Sequence, residues 1–196
     1  MIYVEPEVYI RVASFDVGLK NTSMCIIDFH GMDFIIKKWD HISISGKNIS
    51  ECTSDFISKL RVYQYGCIDY VLVEQQINRN TLMKCLSHVI QSFFICEIKI
   101  PSDRVIFVSP KRRLETTNPI HSKIVEETKH ELGMGGTLSR KDYKRISIEI
   151  TKRYLSQKQI EFWFSFFENL PKQDDYADSF VQAIAWNANS SVFDVD

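Results

Sequence analysis

Val8-Tyr-Ile-Arg-Val-Ala-Ser-Phe15 runs without a break into Asp16-Val-Gly-Leu-Lys-Asn-Thr-Ser23. An apolar, β-rich run ends in a carboxylate, a glycine turn follows, and a second apolar run begins at once, Ser23 to His30 (SMCIIDFH). Phe34 to Ile42 (FIIKKWDHI) is a third run, set off by the turn His30-Gly-Met-Asp33. Three strand-like segments with connections this short predict an antiparallel meander.

Beyond the meander the period changes. Asn48 with Glu51 three residues on forms a capping-box-like start, and Ile49, Cys52, Phe56, Leu60 and Tyr63 then recur at helical spacing until Gly66. Asp69 to Glu74 is a short apolar strand that closes on a carboxylate. Leu82, Cys85, Leu86, Val89, Ile90, Phe93 and Phe94 step by three and four along one helix face. Val105 to Val108 is a fifth strand, stopped by Ser109-Pro110. A helix over Ile120 to Leu132, a turn at Gly133-Met-Gly-Gly136, a helix from Ser139 to about Leu155, an aromatic patch from Glu161 to Phe167 and a last helix from Asp175 to Asn189 complete the chain. The order predicts an α/β fold over residues 1–196, with no linker to divide it. Its mixed five-stranded sheet has three antiparallel strands, then two parallel ones, with helices on both faces.

Composition narrows the function classes. The 196 residues are 44% apolar and 25% charged, a globular balance that excludes a disordered or fibrous chain. No run reaches the roughly 18 to 20 apolar residues of a membrane span, and the first residues lack the pattern of a secretory signal, so a soluble intracellular protein is expected. Five cysteines without a CxxC pair argue against a disulfide framework or zinc ribbon. Net charge is −1, but it is unevenly spread: Pro101 to Arg153 carries twelve Lys and Arg against seven Asp and Glu, and the rest twelve against eighteen. A basic segment in an acidic frame suits a site that holds phosphate with cations and metal with carboxylates. A solvated helix face explains the same surplus equally well.

Acidic residues sit where buried elements end: Asp16 after the first strand, Glu74 after the fourth, and Asp174, Asp175 and Asp178 at the start of the last helix. Complementing a helix dipole explains one of those three aspartates but not three within five residues, which repel unless a cation lies among them. A divalent-metal site, with hard oxygen ligands completed by water and phosphate, accounts for the whole set.

Phe15-Asp-Val-Gly-Leu-Lys-Asn-Thr-Ser23, Val73-Glu-Gln-Gln76 and Asp174-Asp-Tyr-Ala-Asp-Ser-Phe180 together resemble the RuvC-type Holliday junction resolvases, in particular those of poxviruses and fungal mitochondria. The resemblance runs from Ile10 to about Ala188. It implies an RNase H-like fold, a homodimer, and paired Mg²⁺-dependent incisions across four-way DNA, with two ions per site and Mn²⁺ able to substitute. Neither a membrane nor a nucleotide cofactor is required. By motif, Asp16, Glu74, Asp175 and Asp178 match the catalytic acids, with Asp174 a further candidate ligand. Lys144 would stabilise charge on the phosphate in the transition state. Lys111, Arg112, Arg113, Arg140, Lys141 and Arg145 would hold DNA, as would the amides of Gln75 and Asn78; Asn80 reads better as an N-cap. Exposed positions of the Leu82–Phe94 helix, such as Met83 or Ser87, would meet the partner subunit. Likeness to the viral members further implies work on replicated genome concatemers in the cytoplasm of an infected cell. For the Phe162 to Phe167 aromatics, core or dimer packing is the better reading and stacking on unpaired bases the sharper one.

Three rivals remain compatible with parts of the pattern. A phosphotransferase of the actin and sugar-kinase superfamily also opens with a β-meander and a phosphate loop, but it needs a second domain and a second glycine-rich loop. A non-catalytic junction-binding protein would gain nothing from the acids. A ribonuclease acting on RNA–DNA hybrids would share the fold.

Overall fold

A computed structural model describes residues 9–76, 80–158 and 160–190. One five-stranded sheet runs in the order β3-β2-β1-β4-β5. Its strands are β1 (Ile10–Asp16), β2 (Asn21–His30), β3 (Asp33–Ser43), β4 (Tyr70–Glu74) and β5 (Val105–Val108). The first three pair antiparallel; β4 joins β1 in parallel, Phe15 beside Val73, and β5 joins β4 in parallel, Glu74 beside Val108. This is the expected mixed sheet, and the beginning of the β1 run, Val8, lies outside the described residues.

Side-chain alternation on the strands divides the apolar residues between two layers. Ala13, Phe15, Met24, Ile26, Val71 and Val73 face α1 (Ile49–Val62) and α2 (Thr81–Cys96), meeting Phe56, Leu60, Leu86, Ile90 and Phe94. Val12, Cys25, Ile27, Phe29 and Leu72 face the other layer, built from α3 (Pro119–Glu131), α4 (Arg140–Gln157), α5 (Glu161–Glu168) and α6 (Gln173–Asn189). Because β1 and β4 are covered on both sides, they read as largely apolar runs. A carboxylate at their ends therefore emerges at the rim of a core.

Local chemistry sets the helix ends. Asn48 Oδ1 accepts from the Glu51 amide, and Glu51 returns a bond to the Lys47 amide, one residue ahead of the cap. Ser139 and Asp142 form a reciprocal capping box at the start of α4. Gly133 and Gly136, both at positive φ, turn the chain between α3 and α4. The first helix ends at Val62, ahead of Gly66, whose positive φ serves the turn into β4.

The aromatic patch is α5. Phe167 is fully buried and stacks on Trp39, while Trp163 and Phe166 pack around the same indole. Trp39 in turn donates from Nε1 to the carbonyl of Tyr176, 3.1 Å away, in the first turns of α6. The patch therefore packs in the core and helps to anchor the helix that carries the acidic cluster; only Phe162 is largely exposed. No helix among the described residues is long and apolar enough to cross a membrane.

Phe180 lies at the centre of this layer, its ring against Phe34, Trp39 and Tyr154. Phe180→Ala is expected to cost about 3–5 kcal/mol by removing its transfer energy and leaving a cavity. Urea unfolding should show a lower midpoint at unchanged slope; a midpoint within experimental error of the parent would refute this placement of the core.

Candidate active site

Parallel pairing of β1 with β4 sets the site. Phe15 lies beside Val73, so the next residue on each strand, Asp16 and Glu74, emerges at the same sheet end. Ser14, two residues before Asp16, accepts from Gln182 of α6, so these positions point toward that helix. Three hydrogen bonds fix α6 against β1 and β2: Gln182 Nε2 donates to Ser14 Oγ at 3.0 Å and to the Phe15 carbonyl at 3.3 Å, and the hydroxyls of Ser23 and Ser179 meet at 2.8 Å. Asp178 is thereby brought over the ends of β1 and β4.

Among the three acids lies the guanidinium of Arg113, at the end of a short 3₁₀ turn, Pro110–Arg113, that follows β5. Nη2 donates to Asp16 Oδ1 at 3.1 Å and to Glu74 Oε1 at 2.7 Å; Nη1 is 2.7 Å from Asp178 Oδ1. Glu74 Oε2 accepts from Gln76 Nε2 at 2.7 Å, and the same amide reaches the Val17 carbonyl at 3.4 Å. Gly18 allows the turn after Asp16 to close, because a Cβ there would stand 2.3 Å from the Asn21 carbonyl oxygen.

Arg113, one of the cations that the family resemblance assigns to DNA, is turned inward here. It is 6% exposed, and its charge is committed to three carboxylates. A guanidinium buried this deeply is retained only by such counter-charges. Its main chain is held too. Fully buried His121 donates from Nε2 to the Arg113 carbonyl at 3.1 Å, leaving Nδ1 to accept the Tyr154 hydroxyl at 2.8 Å. Burial holds the His121 ring below its usual pKa, so the neutral tautomer is the folded form.

Electrostatics distinguish the acids. Burial pushes Asp16 well above the usual carboxylate range, Glu74 raises it further and Arg113 pulls it back. Asp178 is raised by burial against the opposing pull of Arg113. Asp175 is raised by burial and by Asp174, and His41 Nε2 stands 3.7 Å from it. Asp174 is different: burial pushes it upward, but the hydrogen bond and charge of Lys144 prevail and hold it low.

The site borders a cleft of about 700 Å³. Asp16, Glu74, Arg113, Asp175 and Asp178 line it, with Gln75, Lys111, Arg140 and Lys144 from the expected set. Asp174 is not among its lining residues, since its carboxylate is turned to Lys144. Exposed Arg112, Lys141 and Arg145 do not line it either, and Asn78 lies outside the described residues. Lys20, Gln76, Tyr143 and Lys172 line it without having been singled out in the sequence. Gln76 had a signal: it is two residues from Glu74 and so on the same side of an extended chain. Met83 also borders the cleft, while Ser87, expected on an exposed face, is buried and donates to the Lys84 carbonyl.

The donor set suits a hard divalent cation, being all carboxylate and converging on one positive charge. Among the described residues no three His, Cys, Asp or Glu side chains form a ready-made metal cage, and the point on which three of the acids converge is taken by the guanidinium.

Comparison with known proteins gives consistent results. The family described as "Poxvirus A22 protein" matches residues 10–190. No curated protein sequence matches the chain. The fowlpox virus resolvase in complex with Holliday junction DNA superposes with a TM-score of 0.61 at 16% identity, covering 91% of this chain and 97% of that one. The fowlpox virus resolvase in a second crystal structure gives 0.55 at 18% identity, over 90% and 96% of the two chains. The yeast mitochondrial Holliday junction resolvase gives 0.57 at 18%, over 91% and 78%. These likenesses establish the expected fold.

His121 makes the site's support sensitive to acid. Its folded pKa lies below that of the unfolded chain, roughly 6.5, so between the two values the unfolded state takes up a proton that the folded state refuses. Stability is therefore lost as pH falls from about 6.5 through the folded value, and the residue contributes no slope above that window. The urea midpoint of the parent should decline over pH 6.5 to 5 more steeply than that of His121→Gln; parallel declines would contradict this assignment.

Proposed function

The chain belongs to the poxvirus A22 protein family, and on that premise we propose that it is a metal-dependent, structure-selective endonuclease that resolves four-way DNA junctions as a homodimer. The observation that carries this reading is the convergence of Asp16, Glu74 and Asp178, from β1, β4 and α6, on one buried cationic position beside an open cleft with basic residues in its lining. The structural likeness to the fowlpox virus resolvase, solved with Holliday junction DNA, supports the same substrate.

Asp16, Glu74, Asp178 and, one turn earlier on α6, Asp175 would hold divalent metal, Mg²⁺ with Mn²⁺ as a substitute, in the two-ion arrangement suited to phosphodiesters. Bound there, the metal supplies a nucleophilic water at neutral pH and stabilises the leaving oxygen. The chain's own residues do the remainder. Lys20, Lys111, Arg140 and Lys172 lie where they can hold the phosphates that flank the cut, positioning the strand without reading its bases. Lys144 carries its ammonium at the same wall, paired with Asp174, and would move onto the scissile phosphate as negative charge builds there. Gln76 fixes the Glu74 carboxylate, and Gln75, exposed at the cleft, is free to contact the sugar or base. Products would carry 5′-phosphate and 3′-hydroxyl ends, and two-fold symmetry would place one site on each of two opposing strands. For a poxvirus family member, the substrate would be branched replicated genome in the cytoplasm of an infected cell.

A labelled synthetic four-way junction tests the reading. Cleavage should require Mg²⁺ and stop with chelator. Asp16→Asn and Glu74→Gln should each lower the cleavage rate by about 10²–10³-fold or more while leaving junction binding in place. Cleavage by Asp16→Asn at the parental rate would remove the assignment, and preferential cutting of an RNA–DNA hybrid would change the substrate.

A further inference from the structure

Arg113 holds a place that a divalent cation would need. Its guanidinium contacts one oxygen of Asp16, one of Glu74 and one of Asp178, all within 3.1 Å. The second oxygen of Glu74 is already engaged by Gln76. A metal requires its carboxylate oxygens at roughly 2.0–2.1 Å for Mg²⁺, and a guanidinium bonded to the same oxygens would then face it at repulsive distance. Both cations cannot keep this full set of partners.

Three features fit a side chain that is held but replaceable. The backbone of Arg113 is secured by His121, so the residue stays at the cleft whichever way its side chain points. Its buried Nε has no hydrogen-bond partner among the described residues, so departure of the guanidinium breaks no bond that they make at that atom. The side chain also lines the open cleft, which gives it somewhere to go.

We infer that Arg113 is a built-in counter-ion of the metal-free site, which keeps Asp16, Glu74 and Asp178 assembled and which divalent metal must displace from at least part of this cluster in order to bind. The arginine thus stabilises the empty protein and sets the metal concentration at which the site loads. This rests on the metal-dependent reading above, and it adds a competitor native to the chain.

The test uses the full-length, metal-free protein, with Mn²⁺ titrated by calorimetry and thermal unfolding followed in parallel, with no DNA present. Arg113→Gln should bind Mn²⁺ about tenfold or more tightly than the parent, the gain from sparing at least one charge-assisted bond. Its metal-free melting temperature should fall, and its Mn²⁺-dependent rise should exceed the parent's. Arg113→Lys keeps one positive charge but lacks the planar fork, so it should fall between the two, and it carries the test if Arg113→Gln does not fold. A purely structural arginine would lower the melting temperature with and without metal and leave affinity unchanged or weaker. That result, with a parent that binds Mn²⁺, overturns the inference alone. A parent that binds no Mn²⁺, or binds it no better than Asp16→Asn, overturns the metal-dependent reading and the inference with it.

Discussion

Three carboxylates held at the end of a doubly covered sheet cannot be left without a positive charge among them, and this constraint organises the structure. Burial alone raises Asp16 and Asp178 toward protonation, and proximity to Glu74 adds to the rise at Asp16. Arg113 opposes both shifts, while its own charge is tolerable only because the acids surround it. Neither set would survive burial without the other. The elements that bring them together are correspondingly fixed: parallel pairing of β1 with β4, three polar bonds from α6 to β1 and β2, and the His121–Tyr154 pair beneath the Arg113 turn.

The aromatic layer serves the same purpose from farther away. Trp39 on β3 packs against Trp163, Phe166 and Phe167 and donates to the Tyr176 carbonyl, within the turn that separates Asp175 from Asp178. Phe180, one turn on, meets the same indole. Stiffness in a first helical turn is otherwise hard to obtain, because its amides lack intrahelical partners and Lys172 offers no side-chain cap. Here packing replaces the cap, so the apolar patch bears on chemistry without any part of it reaching the cleft walls.

Much of this was legible in the sequence because the elements repeat a period. The meander, both parallel strands and the α2 stripe were marked by alternation or by steps of three and four, and each closed near the expected residue. The acids were legible for a different reason: a charge at the end of an apolar run is costly, so Asp16 and Glu74 stand out as soon as β1 and β4 are recognised. What could not be read were relations between side chains distant in sequence. Nothing in Lys111-Arg-Arg113 shows that two of its cations point to solvent and the third into the core, since a 3₁₀ turn sends neighbours in different directions. His121 has no local pattern, because its partners are a carbonyl eight residues back and a hydroxyl on another helix. Asp174 and Asp175 are adjacent and chemically identical, and partners distant in sequence separate their roles: Lys144, thirty residues away, pairs with Asp174, and His41 faces Asp175.

The same lesson changes the meaning of the basic segment. Its surplus of positive charge suggested a phosphate-binding stripe, yet several of its cations are consumed inside the helical layer. Arg153 pairs with Glu127 and Glu131, Lys129 with Glu126, and Lys152 with Glu149 and Glu168. Exposed pairs of this kind contribute little stability individually and leave little net field to attract a polyanion. Arg113 is neutralised from within. Of the expected DNA-binding and catalytic cations, Lys111, Arg140 and Lys144 border the cleft, joined from outside the segment by Lys20 and Lys172. On the proposed reading, attraction for phosphate would come from few charges drawn from four separate stretches of chain. A recognition surface assembled in this way follows the fold and not the local composition, and a chain with a net charge of −1 can present it.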